Sequence, residues 1–151
     1  EAADFSVGRF QMKPSFAEDL EKQVNANDSL KQIYADILTF KSTDAKEMRD
    51  QRLKRLSSLK WQLIYLNCFA SVIQNEFKGQ QFESVSEKIA FYSTAYNGGY
   101  HKGANQITAN ESSKYYPYGS KYKGAQYSYS DVAVYYYRKT FAQKTSSHKP
   151  L

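Results

Sequence analysis

One cysteine, Cys68, stands in 151 residues, so no disulfide can close within the chain. Only His101 and His148 accompany it as soft or borderline ligands, and no close-spaced structural zinc set can be written from them. No metal or other cofactor is implied. Long hydrophobic runs are lacking as well. The longest, around Leu63–Ile73, contains Asn67, is flanked by Lys60 and Gln74, and falls short of the roughly 20 residues that span a bilayer. There is no phosphate loop, no Rossmann fingerprint and no nucleophile motif. The opening Glu1-Ala2-Ala3-Asp4 carries no basic-then-apolar signal and reads as a processed chain.

What the chain does have is tyrosine and unevenly placed charge. It holds 14 tyrosines among 24 aromatic residues, and 21 Lys/Arg against 15 Asp/Glu, a net charge of +6. Residues 1–97 balance 13 basic against 13 acidic residues, whereas residues 98–151 carry 8 basic, 2 acidic and 10 of the tyrosines. A basic, ring-rich surface suits an acidic polymer, either a nucleic acid or an acidic glycan.

Helical spacing dominates the pattern. The first 13 residues have no period and read as an extended arm. Ser15-x-x-Glu18 has capping-box spacing and predicts a short helix to about Val24. Asp28 is the expected cap of a second helix carrying Leu30, Ile33, Tyr34, Ile37 and Leu38 at i, i+3, i+4, i+7 and i+8. Asp44 opens one long segment through Met48, Leu53, Leu56, Leu63, Leu66, Ala70, Ile73 and Phe77. Ser84-x-x-Glu87 opens another helix that Asn97-Gly98-Gly99 should end. Tyr100–Tyr127 reads as a long loop, and Ser128 caps a last helix whose Val132, Tyr135, Tyr136 and Phe141 are expected inside. About half of the tyrosines in this last third are assigned to the core. The basic run of Lys46, Arg49, Arg52, Lys54, Arg55 and Lys60 reads as a solvated helix face. These elements predict an all-α chain of about five helices, with an arm at 1–13, one domain at 14–142 and a frayed tail at 143–151.

The string Ala95-Tyr96-Asn97-Gly98 at a helix end resembles the Ala-Tyr-Asn-Ala-Gly signature of the lytic transglycosylases, relatives of goose-type lysozyme. An apolar helix, a Phe77-Lys78-Gly79 step and a tyrosine-rich closing helix follow the family's order over residues 60–141. The resemblance implies a lysozyme-like fold, a monomer of the cell envelope, and action on peptidoglycan without a metal. Its chemistry needs a carboxylic acid to protonate the bond between N-acetylmuramic acid and N-acetylglucosamine. The family's Glu-Ser and Gly-Leu-Met-Gln motifs have no recognisable counterpart here, and spacing alone points to Glu21 as the acid. The substrate contacts implied are Tyr96, Asn97, Tyr100, His101 and Tyr118. The plainer alternative takes Tyr96 as core, Asn97-Gly98-Gly99 as a helix stop and Glu21 as a helix-surface charge. A non-catalytic glycan- or protein-binding domain is the alternative, and a nucleic-acid module a third reading, although the resemblance implies no nucleic-acid partner.

Overall fold

The computed structural model describes residues 4–141, so the expected tail at 143–151 lies outside the described residues. The chain forms two compact units, residues 1–76 and 77–151. Regular structure among the described residues is helical, with only two isolated β-bridges, at Val7–Met12 and Tyr116–Tyr127.

The first unit holds α1 (Pro14–Asn25), α2 (Asp28–Leu38), α3 (Ala45–Leu56) and α4 (Leu59–Glu76). Its arm is folded back instead of extended. Val7 and Met12 exchange backbone hydrogen bonds of 2.8 and 3.0 Å around a turn in which Gly8 has φ +73°, and Met12 is buried. Gln62 of α4 anchors that turn by accepting from the Phe10 amide at 2.9 Å and donating to the Leu56 carbonyl at 2.7 Å.

Helix starts follow from their caps, with two shifts from expectation. Pro14 sits in the first turn of α1, where its missing N–H is no loss. Ser15 does not cap α1; its amide and hydroxyl instead donate to the Asp4 carboxylate at 3.0 and 2.6 Å, tying the arm to the helix. Asn27, one residue before the expected Asp28, accepts from the Leu30 amide and caps α2. Asp44 accepts from both Lys46 and Glu47 amides, as its position ahead of α3 predicts.

The long segment expected after Asp44 is two helices. Its break lies at Ser57-Ser58, where the Ser57 hydroxyl donates back to the Leu53 carbonyl and the Gln62 side chain takes up the Leu56 carbonyl. Hydroxyls that bond their own backbone compete with helix continuation. The core of this unit joins Leu20, Val24, Ile37, Leu56, Tyr65, Cys68 and Ile73. Burial, reinforced by the Glu21 charge, pushes the Cys68 thiol up to about 12, which keeps it protonated.

The second unit holds α5 (Val85–Gly98), a 3-10 turn (Tyr100–Lys102), α6 (Ala104–Asn110) and α7 (Tyr129–Thr140). The described chain therefore has seven α-helices instead of about five, the extra two coming from the break after α3 and from α6. Buried Ile107 explains α6, because a seven-residue helix needs tertiary packing to persist. Phe91 of α5 is the centre of this core, with the Phe77 ring 5.2 Å away edge-on and the Phe82 ring at 5.4 Å.

Helix α7 packs on α5 by a different face from the one expected. Val132, Tyr135, Tyr136 and Phe141 are all exposed, whereas Ser130 is buried and Ala133, Val134 and Tyr137 are half-buried. The inward positions are Ser130, Ala133, Val134 and Tyr137. Helical spacing of the apolar and aromatic residues alone selects the wrong face here.

Gly8→Ala tests the arm. A β-carbon at this residue would lie 1.7 Å from Gln62 Nε2, and the positive φ adds strain. The variant is expected to lose more than about 1 kcal/mol, read as a lower urea midpoint at unchanged slope.

Candidate functional site

Glu21 lies near the end of α1 and is buried. Arg52 of α3, equally buried, donates from Nη2 to Oε2 at 2.6 Å and from Nε to both carboxylate oxygens at 3.1 Å. Tyr65 of α4 donates its hydroxyl to Oε1 at 2.6 Å. Burial pulls the Arg52 guanidinium down, but the Glu21 hydrogen bond and charge outweigh it and leave it above its usual value. The Tyr65 hydroxyl is raised, first by burial and then by the Glu21 charge. Both carboxylate oxygens act as acceptors in this cluster, and a general acid must instead have a proton directed at substrate. The geometry is that of an ion pair joining three helices.

The basic run on α3 and the start of α4 is likewise only partly a solvated face. Lys46, Lys54 and Lys60 are exposed, but Arg52 and Arg55 are buried. Arg55 donates to the carbonyls of Ile37 at 2.7 Å, Asp36 at 3.3 Å and Thr39, placing a cation at the C-terminal end of α2. Its guanidinium carbon lies 4.6 Å from the centre of the Phe40 ring and 4.4 Å from that of Trp61. Such stacking uses the delocalised plane of arginine, which lysine lacks.

The other residues singled out from the sequence belong to the second unit. Ala95 is buried and Tyr96 half-buried, and burial followed by the neighbouring Tyr129 raises the Tyr96 hydroxyl to about 12. Asn97 is exposed, and Gly99, at φ +92°, ends α5 by donating to the Ala95 carbonyl at 2.9 Å. Tyr100 is buried, so its ring packs the unit instead of meeting a ligand, while His101 beside it is exposed with its ring centre 4.0 Å away. Tyr118 is the most exposed of the tyrosines, at 71%.

Tyr118 sits in the feature that best fits a binding surface. Tyr116 and Tyr127 exchange backbone hydrogen bonds of 3.1 and 3.0 Å, closing the intervening residues into a compact loop. Inside it the Gly119 amide donates to the Tyr115 carbonyl at 2.6 Å, and the Gln126 side chain donates to the Gly119 carbonyl at 3.1 Å and to that of Tyr122. Backbone and glutamine satisfy the loop, so its rings are left outside. Tyr115, Tyr116, Tyr118, Tyr122, Tyr127 and Tyr129 are all exposed, with Lys114, Lys121 and Lys123 among them. Tyr118 meets Tyr122 edge-on at 4.8 Å, and Tyr116 meets Tyr129 at 5.3 Å. Tyrosine offers water a hydroxyl and a ligand a flat apolar face. The tyrosine and lysine composition signalled this surface, but the Tyr116–Tyr127 closure has no local sequence signature.

Glu111, just after α6, is half-buried, and burial followed by the Glu87 charge raises its carboxyl above the usual range. No protein-family model, curated protein or solved structure matches this chain.

Two measurements test these assignments. Arg52→Met strands a buried carboxylate and is expected to cost about 3–5 kcal/mol in chemical denaturation, while Glu21→Leu combined with Arg52→Met recovers most of that loss. Glu111 acts in the opposite sense to a stabilised carboxylate. Its folded form is ionised with more difficulty than its unfolded form, so its contribution is most favourable below the unfolded value and is lost as pH rises through the folded one. Glu111→Gln should therefore match the wild-type melting temperature near pH 4 and exceed it near pH 7.

Proposed function

We propose that this protein is a lysozyme-like helical domain of the cell envelope that binds peptidoglycan strands without cleaving them. The observation that carries this reading is the closed loop between Tyr116 and Tyr127, which holds exposed tyrosines and lysines on one backbone frame. Sugar rings present flat C–H faces that stack on tyrosine, and their hydroxyls bond to its phenol. The acidic peptide stems of peptidoglycan supply the charge that Lys114, Lys121 and Lys123 attract. The resemblance at Ala95-Tyr96-Asn97-Gly98 supports the same polymer.

Binding is favoured over cleavage by the state of Glu21. It is engaged by Arg52 and Tyr65 through all of its described contacts, and it is the residue to which spacing assigned the acid. A glycan is favoured over a nucleic acid by the balance of rings and charge. Between residues 98 and 141 there are ten tyrosines and six Lys/Arg, with Glu111 and Asp131 opposing phosphate. Strong nucleic-acid binding draws chiefly on many phosphate contacts.

Co-sedimentation with purified insoluble peptidoglycan tests the reading. Wild type should pellet with the polymer and leave its turbidity unchanged. Tyr118→Ala with Tyr122→Ala should weaken retention about tenfold or more, equivalent to about 1.4 kcal/mol. Lys121→Ala with Lys123→Ala should weaken it mainly at low salt. Clearance of the suspension would restore the enzymic reading, and steeply salt-dependent DNA binding without pelleting would replace it with a nucleic-acid module.

A further inference from the structure

Phenol rings that lie together in water can react with each other. Tyr118 and Tyr122 meet with ring centres 4.8 Å apart and planes at 61°, and both are exposed. Neither hydroxyl bonds to another described residue, so each can lose its proton directly to solvent. The loop holds the pair in place. The Gly119 amide donates to the Tyr115 carbonyl, and the Gln126 side chain donates to the carbonyls of Gly119 and Tyr122, which fixes the backbone beside both rings. The Tyr122 ring also lies across Gly124, where a β-carbon would come within 2.5 Å of its Cζ and hydroxyl oxygen.

One-electron oxidation of a phenol, with loss of its proton, spreads the unpaired electron onto the ring carbons ortho to the oxygen. Two such radicals couple through those carbons. Rings joined by one carbon–carbon bond have centres separated by two ring radii and a bond length, only slightly less than the 4.8 Å already present. Coupling therefore needs a small approach of the rings and no refolding of the loop. Tyr116 and Tyr129 pair at the longer distance of 5.3 Å and are less exposed, and burial raises the Tyr129 hydroxyl. Tyr135 and Tyr136 are well exposed but have no ring partner among the described residues.

We propose that Tyr118 and Tyr122 are an oxidative cross-linking site, which a haem peroxidase with hydrogen peroxide converts into a dityrosine. Each phenol gives up one electron and one proton, and the two ortho carbons form one carbon–carbon bond. Each ring then recovers its aromaticity by passing the hydrogen of the coupled carbon to its oxygen, and the peroxide takes up both electrons and both protons to leave two waters. Coupling within the loop outruns coupling between molecules, because a ring tethered nearby has an effective concentration of about millimolar or more, about a thousandfold above that of micromolar protein. The site stands whether or not the loop binds a glycan.

The test treats dilute wild-type protein with a haem peroxidase and stoichiometric hydrogen peroxide, isolates the monomer by size exclusion, reads its dityrosine fluorescence and digests it with trypsin. Cleavage after Lys114, Lys121 and Lys123 releases 115–121 and 122–123 as separate peptides. The cross-link should return them as one species, two hydrogens lighter than their sum, with fragment masses that place the bond on Tyr118. Tyr118→Phe and Tyr122→Phe keep a ring at each position but lack the phenol, and each should lose the joined species and most of the monomer's fluorescence, while Tyr136→Phe should keep both. The proposal is overturned if the monomer yields no joined peptide while free tyrosine couples in the same reaction. Fluorescence that survives both loop variants, a bond mapped to Tyr115 or Tyr116, or coupling confined to covalent dimers would overturn it equally.

Discussion

A carboxylate inside a protein is tolerated only with a partner, and in the first unit Glu21 and Arg52 are each other's condition for burial. Their mutual bonds offset a desolvation penalty of several kcal/mol per ion. Tyr65 supplies the remaining donor, so α1, α3 and α4 meet at one polar point within an otherwise apolar core. Replacing any of the three leaves the others with unsatisfied groups in a region that water does not reach. Arg55, one turn further along α3, repeats the principle with backbone carbonyls and two ring faces in place of a carboxylate. Helix α3 is therefore held by its cations, which explains how a helix with so few apolar residues remains part of a core.

The second unit relies on apolar packing around Phe91 and keeps its ionisable groups near water. Glu111, Asp131 and Arg138 line a cleft, and Lys114, Lys121 and Lys123 stand among exposed tyrosines. The buried ion pair of the first unit has no counterpart among the described residues of the core around Phe91.

Much of this was legible in the sequence, and two of the exceptions share a cause. Asp44, Ser84 and Ser128 announced their helices because a cap acts within three residues. The all-helical class followed from the spacing of Leu30, Ile37, Leu56 and their counterparts. Local patterns do not encode which residue 31 positions away will meet Glu21, so its pairing with Arg52 was invisible, and a buried ion pair looked like a surface charge or an acid. The same limit hid the return of the arm onto Gln62. On α7 the failure was different: the helical spacing of Val132, Tyr135 and Tyr136 was read as an inward face, whereas Ala133, Val134 and Tyr137 take the inner positions. The tyrosine loop was evident as composition, but its frame was not, because backbone bonds between Tyr116 and Tyr127 leave no trace in side-chain identity.

That frame has a consequence for how the surface can change over generations. The bonds that close the loop involve main-chain atoms and one glutamine, so the ammonium groups it displays contribute little to its closure, whereas Tyr118 and Tyr122 pack on each other and Tyr122 lies against Gly124. Substitutions at Lys121 or Lys123 are thus largely uncoupled from folding. A lineage can retune what this surface recognises, by exchanging one displayed side chain for another, without first acquiring compensating changes in the helices beneath.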